Sequence, residues 1–135
     1  MKVQLKSYRG TALPSPDKSL QRSGTYASAG METSVILEVA ILNVRAGSAA
    51  DFESSFAQAA PIIAASTGYI SHELRRCVEV RDRYILLVRW RSIEDHTIGF
   101  RGSVGYQEWK AILHHYYDPF PVVEHYGALQ SQLAP

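Results

Sequence analysis

One histidine in the sequence lies among apolar residues at a spacing that suits chemistry. His96 shares a predicted helix face with Ile93 and Phe100, three residues before it and four after it. Burial among apolar side chains lowers the pKa of an imidazole, because its charged form loses hydration. His96 is therefore a candidate general base that stays neutral at pH 7. The alternative is a buried histidine whose nitrogens bond only to nearby backbone groups.

A polar residue near the end of an apolar run is the second catalytic candidate. Asn43 lies in SVILEVAILNV, residues 34–44, where Glu38 is the other polar interruption after Ser34. An amide at this place can donate a hydrogen bond to a carbonyl or enolate oxygen of a bound molecule. Asn43 equally suits the start of the turn at Arg45, because Asn is common in turns.

Aromatic and histidine side chains are candidates for binding a substrate. The predicted binding residues are Trp90, Trp109, Tyr106, Phe100 and His72. Indole and phenol rings stack on flat aromatic molecules, but rings at strand or helix spacing also serve as core. Both interpretations stay open for the rings. The alternative for His72 is a position at a subunit interface or at the mouth of a cavity.

Metal and nucleotide chemistry lack the residue patterns that they require. His114 and His115 are adjacent, so on a helix they point about 100° apart and cannot bind one ion together. Gly99, Gly102 and Gly105 follow a helical segment, whereas a phosphate-binding loop leads from a strand into a helix. We therefore predict no metal and no cofactor.

Composition and charge narrow the class of protein. The chain has 135 residues, of which 46% are hydrophobic and 20% charged, as in a single globular domain. Its net charge of +1 predicts no basic surface for nucleic acid, and no apolar run reaches the roughly 18 residues of a membrane span. The single cysteine, Cys77, suits packing and a reducing compartment. We expect a cytoplasmic protein without nucleic-acid or membrane partners.

Residues 1–30 differ in composition from the rest of the chain. They contain five basic residues and one acidic residue, with scattered Gly, Ser and Pro and no hydrophobic period. This composition predicts a flexible extension or leader, with the patterned domain at residues 31–135. A basic docking arm is the alternative.

The hydrophobic pattern predicts a particular order of elements. Strands are predicted at residues 34–44, 69–80, 83–91 and 120–126, and helices at 49–66, from Ser92 with interruptions at Gly99 and Gly102, and from Ser103 to Asp118-Pro119. We expect Ser48 to cap the first helix, Pro61 to kink it and Gly68 to end it. Strand, helix, strand, strand, helix, strand is the order of an α+β, ferredoxin-like βαββαβ antiparallel sheet with two helices on one face.

The predicted sheet has one face that its own helices leave uncovered. The first strand is nevertheless apolar on both faces. A second copy of the sheet, packed face to face about a two-fold axis, is the simplest cover. We therefore predict an obligate homodimer in which two sheets pair as a dimeric α+β barrel. Arg89 is expected to pair with Glu38 or Glu124 across the sheet.

The motifs within residues 33–127 resemble those of a known family. They are the strand SVILEVAILNVRAG, the hairpin YISHELRRCVEVRDRYILLVRWRS and the segment IEDHTIGFRGSVGYQEWKAILHHYYDPFPVVEHY. Together they are similar to the antibiotic biosynthesis monooxygenase domain of the dimeric α+β barrel superfamily. This family includes oxygenases that convert polycyclic phenols to quinones without metal or flavin, haem-degrading enzymes and quinol-modifying enzymes.

The resemblance implies a small cofactor-independent monooxygenase that oxidises a flat aromatic or quinol-type molecule with O2. Quinone-forming relatives use an Asn, a Trp and Tyr residues around an apolar chamber, and Asn43, Trp90, Trp109 and Tyr106 are of matching type. Haem degradation is an alternative: Asn43 matches the Asn on the first strand of haem-degrading relatives. Their Trp position falls near Gly99, and their His reaches His114 or His115 only if a gap is allowed. A third hypothesis is a non-catalytic dimeric barrel that binds a small hydrophobic ligand.

Overall fold

Four strands and several helical segments make up the described part of the chain. A computed structural model describes residues 35–130 and residue 132, so the predicted leader at residues 1–30 lies outside the described residues. The strands are β1 (Ile36–Asn43), β2 (Tyr69–Arg76), β3 (Arg83–Trp90) and β4 (Val123–Gly127). The helices are α1 (Ala49–Ala64), the π-helical segment Asp95–Phe100, α2 (Val104–Leu113) and a 3-10 turn at His114–Tyr116. Within these residues, none of the helices has the length and apolar character to span a membrane.

The four strands form one antiparallel sheet with β1 and β3 in its centre. The strand order is β2-β3-β1-β4. Ala40 of β1 pairs with Leu86 of β3 on one side and with Val123 of β4 on the other. Leu86 also pairs with Leu74 of β2. This order confirms the predicted α+β, ferredoxin-like fold.

The hydrophobic core lies between one face of the sheet and the helices. Alternate strand residues point into it, because successive side chains of a strand face opposite sides. The strands contribute Leu42, Tyr84, Leu86, Val88 and Trp90, and the helices contribute Phe52, Phe56, Ala59, Ile63, Tyr106, Trp109 and Leu113. Burying one large apolar side chain stabilises a fold by about 1.5–3 kcal/mol, so this layer supplies most of the hydrophobic stabilisation of the fold.

Two predicted strand boundaries differ from the structure by three residues or more. β2 ends at Arg76 instead of residue 80. The chain turns there because the N–H of Cys77 donates to the carbonyl of Arg83 at 2.7 Å and Asp82 adopts a φ of 63°. β4 begins at Val123 instead of residue 120, and Pro121 just before it has no N–H to give to a sheet.

The helix ends follow the predicted caps in part. The Ser103 hydroxyl accepts a hydrogen bond from the N–H of Tyr106 at 3.1 Å, which confirms the cap of α2. Ser48 occupies the N-cap position of α1, as predicted, but its side chain makes no capping hydrogen bond. α1 ends at Ala64, and Gly68, with a φ of +85°, forms the turn into β2 instead of ending the helix. The kink at Pro61 stays a prediction.

The short helical segment after β3 is a π-helix. The N–H of Arg101 donates to the carbonyl of His96 at 3.1 Å, which is the i to i+5 spacing of that helix type. The Ser92 hydroxyl accepts from the N–H of Asp95 at 3.1 Å and so holds its first turn. Gly99 lies within the segment and does not interrupt it, contrary to the prediction. The wide turn directs His96 and Phe100 to the same side, with ring centroids 6.3 Å apart.

The second face of the sheet is apolar in its centre and partly exposed. Its central side chains are Leu37, Val39, Ile41, Ile85 and Leu87. Ile41 is 41% exposed, and Tyr126 on the neighbouring edge strand is 51% exposed. Arg89 lies on this face with Glu73 at 3.7 Å, so its predicted pairing with Glu38 or Glu124 is wrong. Glu38 points to the opposite, helix-covered face.

Candidate active site

A small, partly open pocket lies between the helix-covered face of the sheet, the π-helical segment and α2. Its apolar wall includes Leu42, Leu86, Phe100, Trp109, Tyr117 and Phe120. Its free volume is about 40 Å³, which holds roughly three water molecules at on the order of 10–15 Å³ each. The aromatic side chains therefore pack closely and leave only a small free space between them.

Four buried side chains form a hydrogen-bonded cluster at this pocket, and we call it the Glu38 cluster: Glu38, Trp90, His96 and His125. The indole N–H of Trp90 donates to Glu38 Oε1 at 2.9 Å. His96 Nε2 lies 3.4 Å from the same oxygen. His96 Nδ1 lies 2.8 Å from His125 Nε2. The carboxyl and the two imidazoles are 5%, 2% and 9% exposed, so solvent does not screen their interactions.

The sheet register and the π-helical turn bring the cluster together. Glu38 of β1 lies opposite Val88 of β3 and His125 of β4. Trp90 follows Val88 by two residues and therefore faces the same side. The π-helical segment then places the His96 ring on the Trp90 indole, stacked at 18° with centroids 5.2 Å apart.

Burial sets the protonation of the cluster. It raises the pKa of Glu38 to about 7, although the Trp90 hydrogen bond and the Arg101 charge act in the opposite direction. It holds the pKa of His96 well below 6.5, with the charge of Arg101 and His125 adding to the effect. It lowers the pKa of His125 to about 4. At pH 7 both imidazoles are therefore neutral, while the carboxyl is divided between its two forms.

A cation and two further titratable groups complete the pocket wall. The Arg101 guanidinium lies 5.4 Å from the centroid of the Tyr106 ring. Burial raises the pKa of the Tyr106 phenol, which stays protonated and able to donate a hydrogen bond. Burial also lowers the pKa of His114 to about 4. The pocket thus combines one positive charge with several neutral donors and acceptors.

Five of the seven predicted site residues meet at this pocket. His96, Phe100, Tyr106 and Trp109 line it. Trp90 lies directly behind His96 and donates to the buried carboxyl. Trp90 of β3 and the rings of the two later helical segments therefore lie together at one site.

Asn43 and His72 lie elsewhere. Asn43 is on the helix-free face, where its Oδ1 accepts from Arg83 Nε at 2.8 Å. Its carbonyl accepts from the N–H of Asp118 at 2.8 Å, in keeping with the turn that follows β1. His72 Nδ1 lies 2.5 Å from the hydroxyl of Tyr69, and its ring meets Phe56 edge-on at 5.9 Å. The structure therefore separates both residues from His96.

Comparison with known proteins identifies the family of the chain. A sequence model described as antibiotic biosynthesis monooxygenase matches residues 35–112. The chain belongs to the antibiotic biosynthesis monooxygenase family. The uncharacterised protein YczJ of Bacillus subtilis is 53% identical over 92 residues, which cover 68% of this chain and 97% of YczJ.

Solved structures of the antibiotic biosynthesis monooxygenase family share the fold. A Bordetella bronchiseptica crystal structure with the same family description is 33% identical with a TM-score of 0.69, covering 72% of this chain and 99% of that one. SnoaB of Streptomyces nogalater, a cofactor-independent oxygenase, is 22% identical with a TM-score of 0.57, covering 76% of this chain and 98% of SnoaB. The second likeness concerns the fold alone.

Sequence reasoning missed three polar residues of this monooxygenase-family pocket: Glu38, Arg101 and His125. The signal for Glu38 was present, because a carboxyl on the same strand face as Ala40 and Leu42 must enter the core. Arg101 and His125 carried no such signal, since each needed the π-helical turn or the β1–β4 register to place it. His125 also lies beyond the residues that the family model matches.

The described residues offer no metal centre. Across 35–130 and 132, no three or more His, Cys, Asp or Glu side chains are grouped to hold an ion. Cys77 lies in the β2–β3 turn, where its sulfur accepts from the N–H of Val80 at 3.3 Å.

Proposed function

We propose that this protein is an oxygenase that uses O2 to oxidise a flat phenolic or quinol-type molecule without metal or flavin. One observation carries the proposal: an aromatic pocket is lined by a buried carboxyl, a neutral imidazole and a guanidinium. Such a pocket supplies acid–base groups and an anion partner among apolar rings that limit the access of water. These are the requirements of a reaction in which the substrate itself provides the electrons.

The reaction balances with the substrate as sole reductant. A methylene group between phenolic rings loses two hydrogen atoms and becomes a carbonyl. One atom of O2 enters that carbonyl and the other leaves as water, so the methylene carbon supplies all four electrons. The protein must remove a proton, hold the resulting anion and keep bulk water away from the peroxide stage.

The pocket residues suit these tasks. Arg101 supplies the positive charge that stabilises a phenolate or enolate. Phe100 and Trp109 offer ring faces to a flat molecule, and Tyr106 offers a phenol donor. Ligand sites of this kind usually measure about 300–1,000 Å³, so a polycyclic substrate enters only if side chains of the pocket move aside.

Relatives and polar groups favour this function over a purely structural one. SnoaB, which shares the fold, is named as a cofactor-independent oxygenase. A barrel that only binds a hydrophobic ligand does not need a buried carboxyl and a half-buried guanidinium beside His96, and the carboxyl is costly to bury without a function. The polar wall is thus the reason to prefer catalysis to the non-catalytic alternative.

Haem degradation remains the second candidate because of one observation. His114, at the end of α2, lines the pocket, and its lowered pKa leaves its imidazole neutral and available to bind iron. Haem as substrate needs much more space than the free volume of about 40 Å³ in this pocket provides. The quinol-type substrate requires a smaller rearrangement and is preferred for that reason.

We also propose that the protein is a homodimer. The apolar centre of the helix-free face would be covered by the same face of a second copy, with charged residues such as Arg89 and Glu73 around it. An isologous interface uses the same surface of both subunits, so a single contact covers the apolar face of each copy. The pocket lies on the other side of the sheet, so pairing leaves access to it unchanged.

Turnover by the purified protein tests the proposed activity. We would incubate it with anthrones and dihydroxynaphthalenes under O2, with and without added haem, and measure the products. The proposal predicts quinone formation without any additive. A spectral change and product only with haem would establish the second candidate, whereas no reaction in either arm would leave the non-catalytic barrel.

A further inference from the structure

We propose that Glu38 is the catalytic base of the pocket and that His96 and His125 exchange tautomers whenever Glu38 gains or loses its proton. The inference rests on the oxygenase function proposed above and names the proton acceptor of that same site. It replaces His96 as the base and gives the two histidines a positioning role.

The geometry makes Glu38 the group that meets both the pocket and the histidines. Glu38 lines the pocket and lies in β1 where this strand is paired on both sides, with Val88 of β3 and His125 of β4. Oε1 receives the Trp90 indole N–H at 2.9 Å and faces His96 Nε2 at 3.4 Å. The position of the carboxyl is thus fixed from β3 and from the π-helical segment.

The pocket environment favours Glu38 over His96 as the acceptor. A base works best when its pKa lies near the working pH, and the pKa of Glu38 is about 7. Burial holds the pKa of His96 well below its usual 6.5, so this imidazole is neutral and a weaker base than Glu38. The other groups around the carboxyl are Arg101 after the π-helical segment, Tyr106 from α2, His114 from the 3-10 turn, Tyr117 before β4 and His125 on β4.

The two histidines can report the state of the carboxyl because each neutral imidazole has a single N–H. When Glu38 is ionised, His96 Nε2 carries the proton that faces Oε1, and His125 Nε2 must donate to His96 Nδ1. When Glu38 is protonated, its O–H can face His96 Nε2. His96 Nδ1 then donates to His125 Nε2, 2.8 Å away. Each carboxyl state therefore selects one tautomer pair.

The proton balance of the reaction uses Glu38 twice. The ionised carboxyl first takes a proton from the methylene, giving a carbanion that forms a C–O bond with O2. The carboxyl returns that proton to the peroxide oxygen. It then takes the second proton from the same carbon while the O–O bond breaks, and gives it to the departing oxygen, which leaves as water. No proton is gained or lost overall.

Turnover by Glu38→Gln tests the base assignment. The amide keeps an oxygen for the Trp90 donor but cannot accept a proton at pH 7. We expect kcat to fall on the order of 10²- to 10⁴-fold, with KM changed much less. Glu53→Gln is the matched control, since Glu53 also accepts from an aromatic side chain, at 2.5 Å from the Tyr84 hydroxyl, and lies outside this pocket. It should keep wild-type turnover.

Trp90→Phe provides a second variant that keeps the carboxyl. It removes the hydrogen bond that lowers the pKa of Glu38, so the acid limb of the kcat profile should move to higher pH. An unchanged profile would contradict the role of Glu38.

Nitrogen NMR of the histidine rings gives a readout that does not depend on any substrate. We expect His96 and His125 to change tautomer together near pH 7 in the wild type, without becoming imidazolium, and to remain in one state in Glu38→Gln. Absence of this coupled change would overturn the tautomer exchange. If no substrate is oxidised, the oxygenase function and the base assignment both fail. If substrates are oxidised but Glu38→Gln keeps full turnover, only the base assignment fails.

Discussion

At the scale of single residues, Glu38 is a costly side chain to bury. A carboxyl with 5% exposure gives up most of its hydration, and one indole hydrogen bond plus the Arg101 charge compensate only in part. Burial lowers the pKa of the two histidines beside it, so both imidazoles stay neutral. A structure that retains such groups in its core points to a use for them.

The first prediction concerns stability of Glu38→Gln as a function of pH. The pKa of Glu38 is raised from 4.5 to about 7 in the folded state, so the carboxylate destabilises the fold. This penalty is absent below about pH 4.5 and complete above about pH 7, where it reaches about 3 kcal/mol. Relative to the wild type, the free energy of unfolding of Glu38→Gln should therefore rise by about that amount between pH 4 and pH 8 in denaturant titrations.

Glu53→Gln provides a control of opposite sign. The Tyr84 and Arg76 hydrogen bonds lower the pKa of Glu53, so its carboxylate stabilises the fold above its unfolded pKa and this contribution is lost on acidification. Relative to the wild type, the free energy of unfolding of Glu53→Gln should therefore fall as the pH rises. Parallel stability profiles for Glu38→Gln and the wild type would contradict the raised pKa.

At the scale of elements, the π-helical segment decides how the site is assembled. Its wide turn directs His96 and Phe100 against Trp90, with centroids 5.2 Å and 5.9 Å from the indole. π-Helical turns are rare and often lie at functional sites. Gly102 closes the turn through its N–H, which donates to the carbonyl of Ile98 at 2.9 Å.

The second prediction is that Gly102→Ala destabilises the protein while Gly99→Ala does not. A Cβ at position 102 would lie 2.7 Å from the carbonyl oxygen of Ile98, which is backbone and cannot move aside cheaply. At position 99 the nearest atom is 3.8 Å away. We expect a loss on the order of 1–3 kcal/mol for Gly102→Ala and little change for Gly99→Ala, measured by chemical denaturation. Equal stability of the two variants would show that the close approach is not required.

The order of elements could be read from the sequence, whereas the details of the site could not. Hydrophobic periods of two and of about 3.6 residues revealed the strands, α1 and α2, because burial of one face is a local property. The π-helical turn could not be predicted, since Gly99 and Gly102 also suit a broken α-helix. The contact of Glu38 with Trp90, 52 residues away in sequence, depends on the register of β1 against β3, which no local pattern specifies.

The position of Asn43 was also wrongly predicted, because the sequence does not specify the face of the sheet to which its side chain points. The sequence showed that this residue ends an apolar strand, but one step in register changes the face to which a side chain points. In the structure Asn43 faces away from His96 and binds Arg83. Glu38, five residues earlier, occupies the inward face that Asn43 was expected to share with the site.

At the scale of the whole molecule, the sheet has two apolar faces with different partners. One face packs on α1 and α2, and the other exposes Ile41 at 41%. Contiguous exposed apolar surface is unusual in monomers and is typical of interfaces. We therefore expect the described domain to exist as a pair of subunits in solution.

The third prediction tests that pairing. Sedimentation of the wild type at micromolar concentration should give a dimer, and Ile41→Arg should give a folded monomer, because a charge at the centre of the interface loses its hydration without a partner. Val78→Arg is the matched control, since Val78 is 93% exposed in the β2–β3 turn, and it should remain dimeric. A stable wild-type monomer would contradict the proposed dimer.

The most direct measurement of the central claim is the fate of isotopically labelled O2 in a single turnover with an anthrone. The reaction would be run with purified protein treated with a chelator, and the product analysed by mass spectrometry. Oxidation within the aromatic pocket, with the substrate as the only reductant, predicts one labelled oxygen in the quinone and the other in water. Quinone whose new oxygen comes from unlabelled water, or no quinone above the protein-free rate, would contradict it.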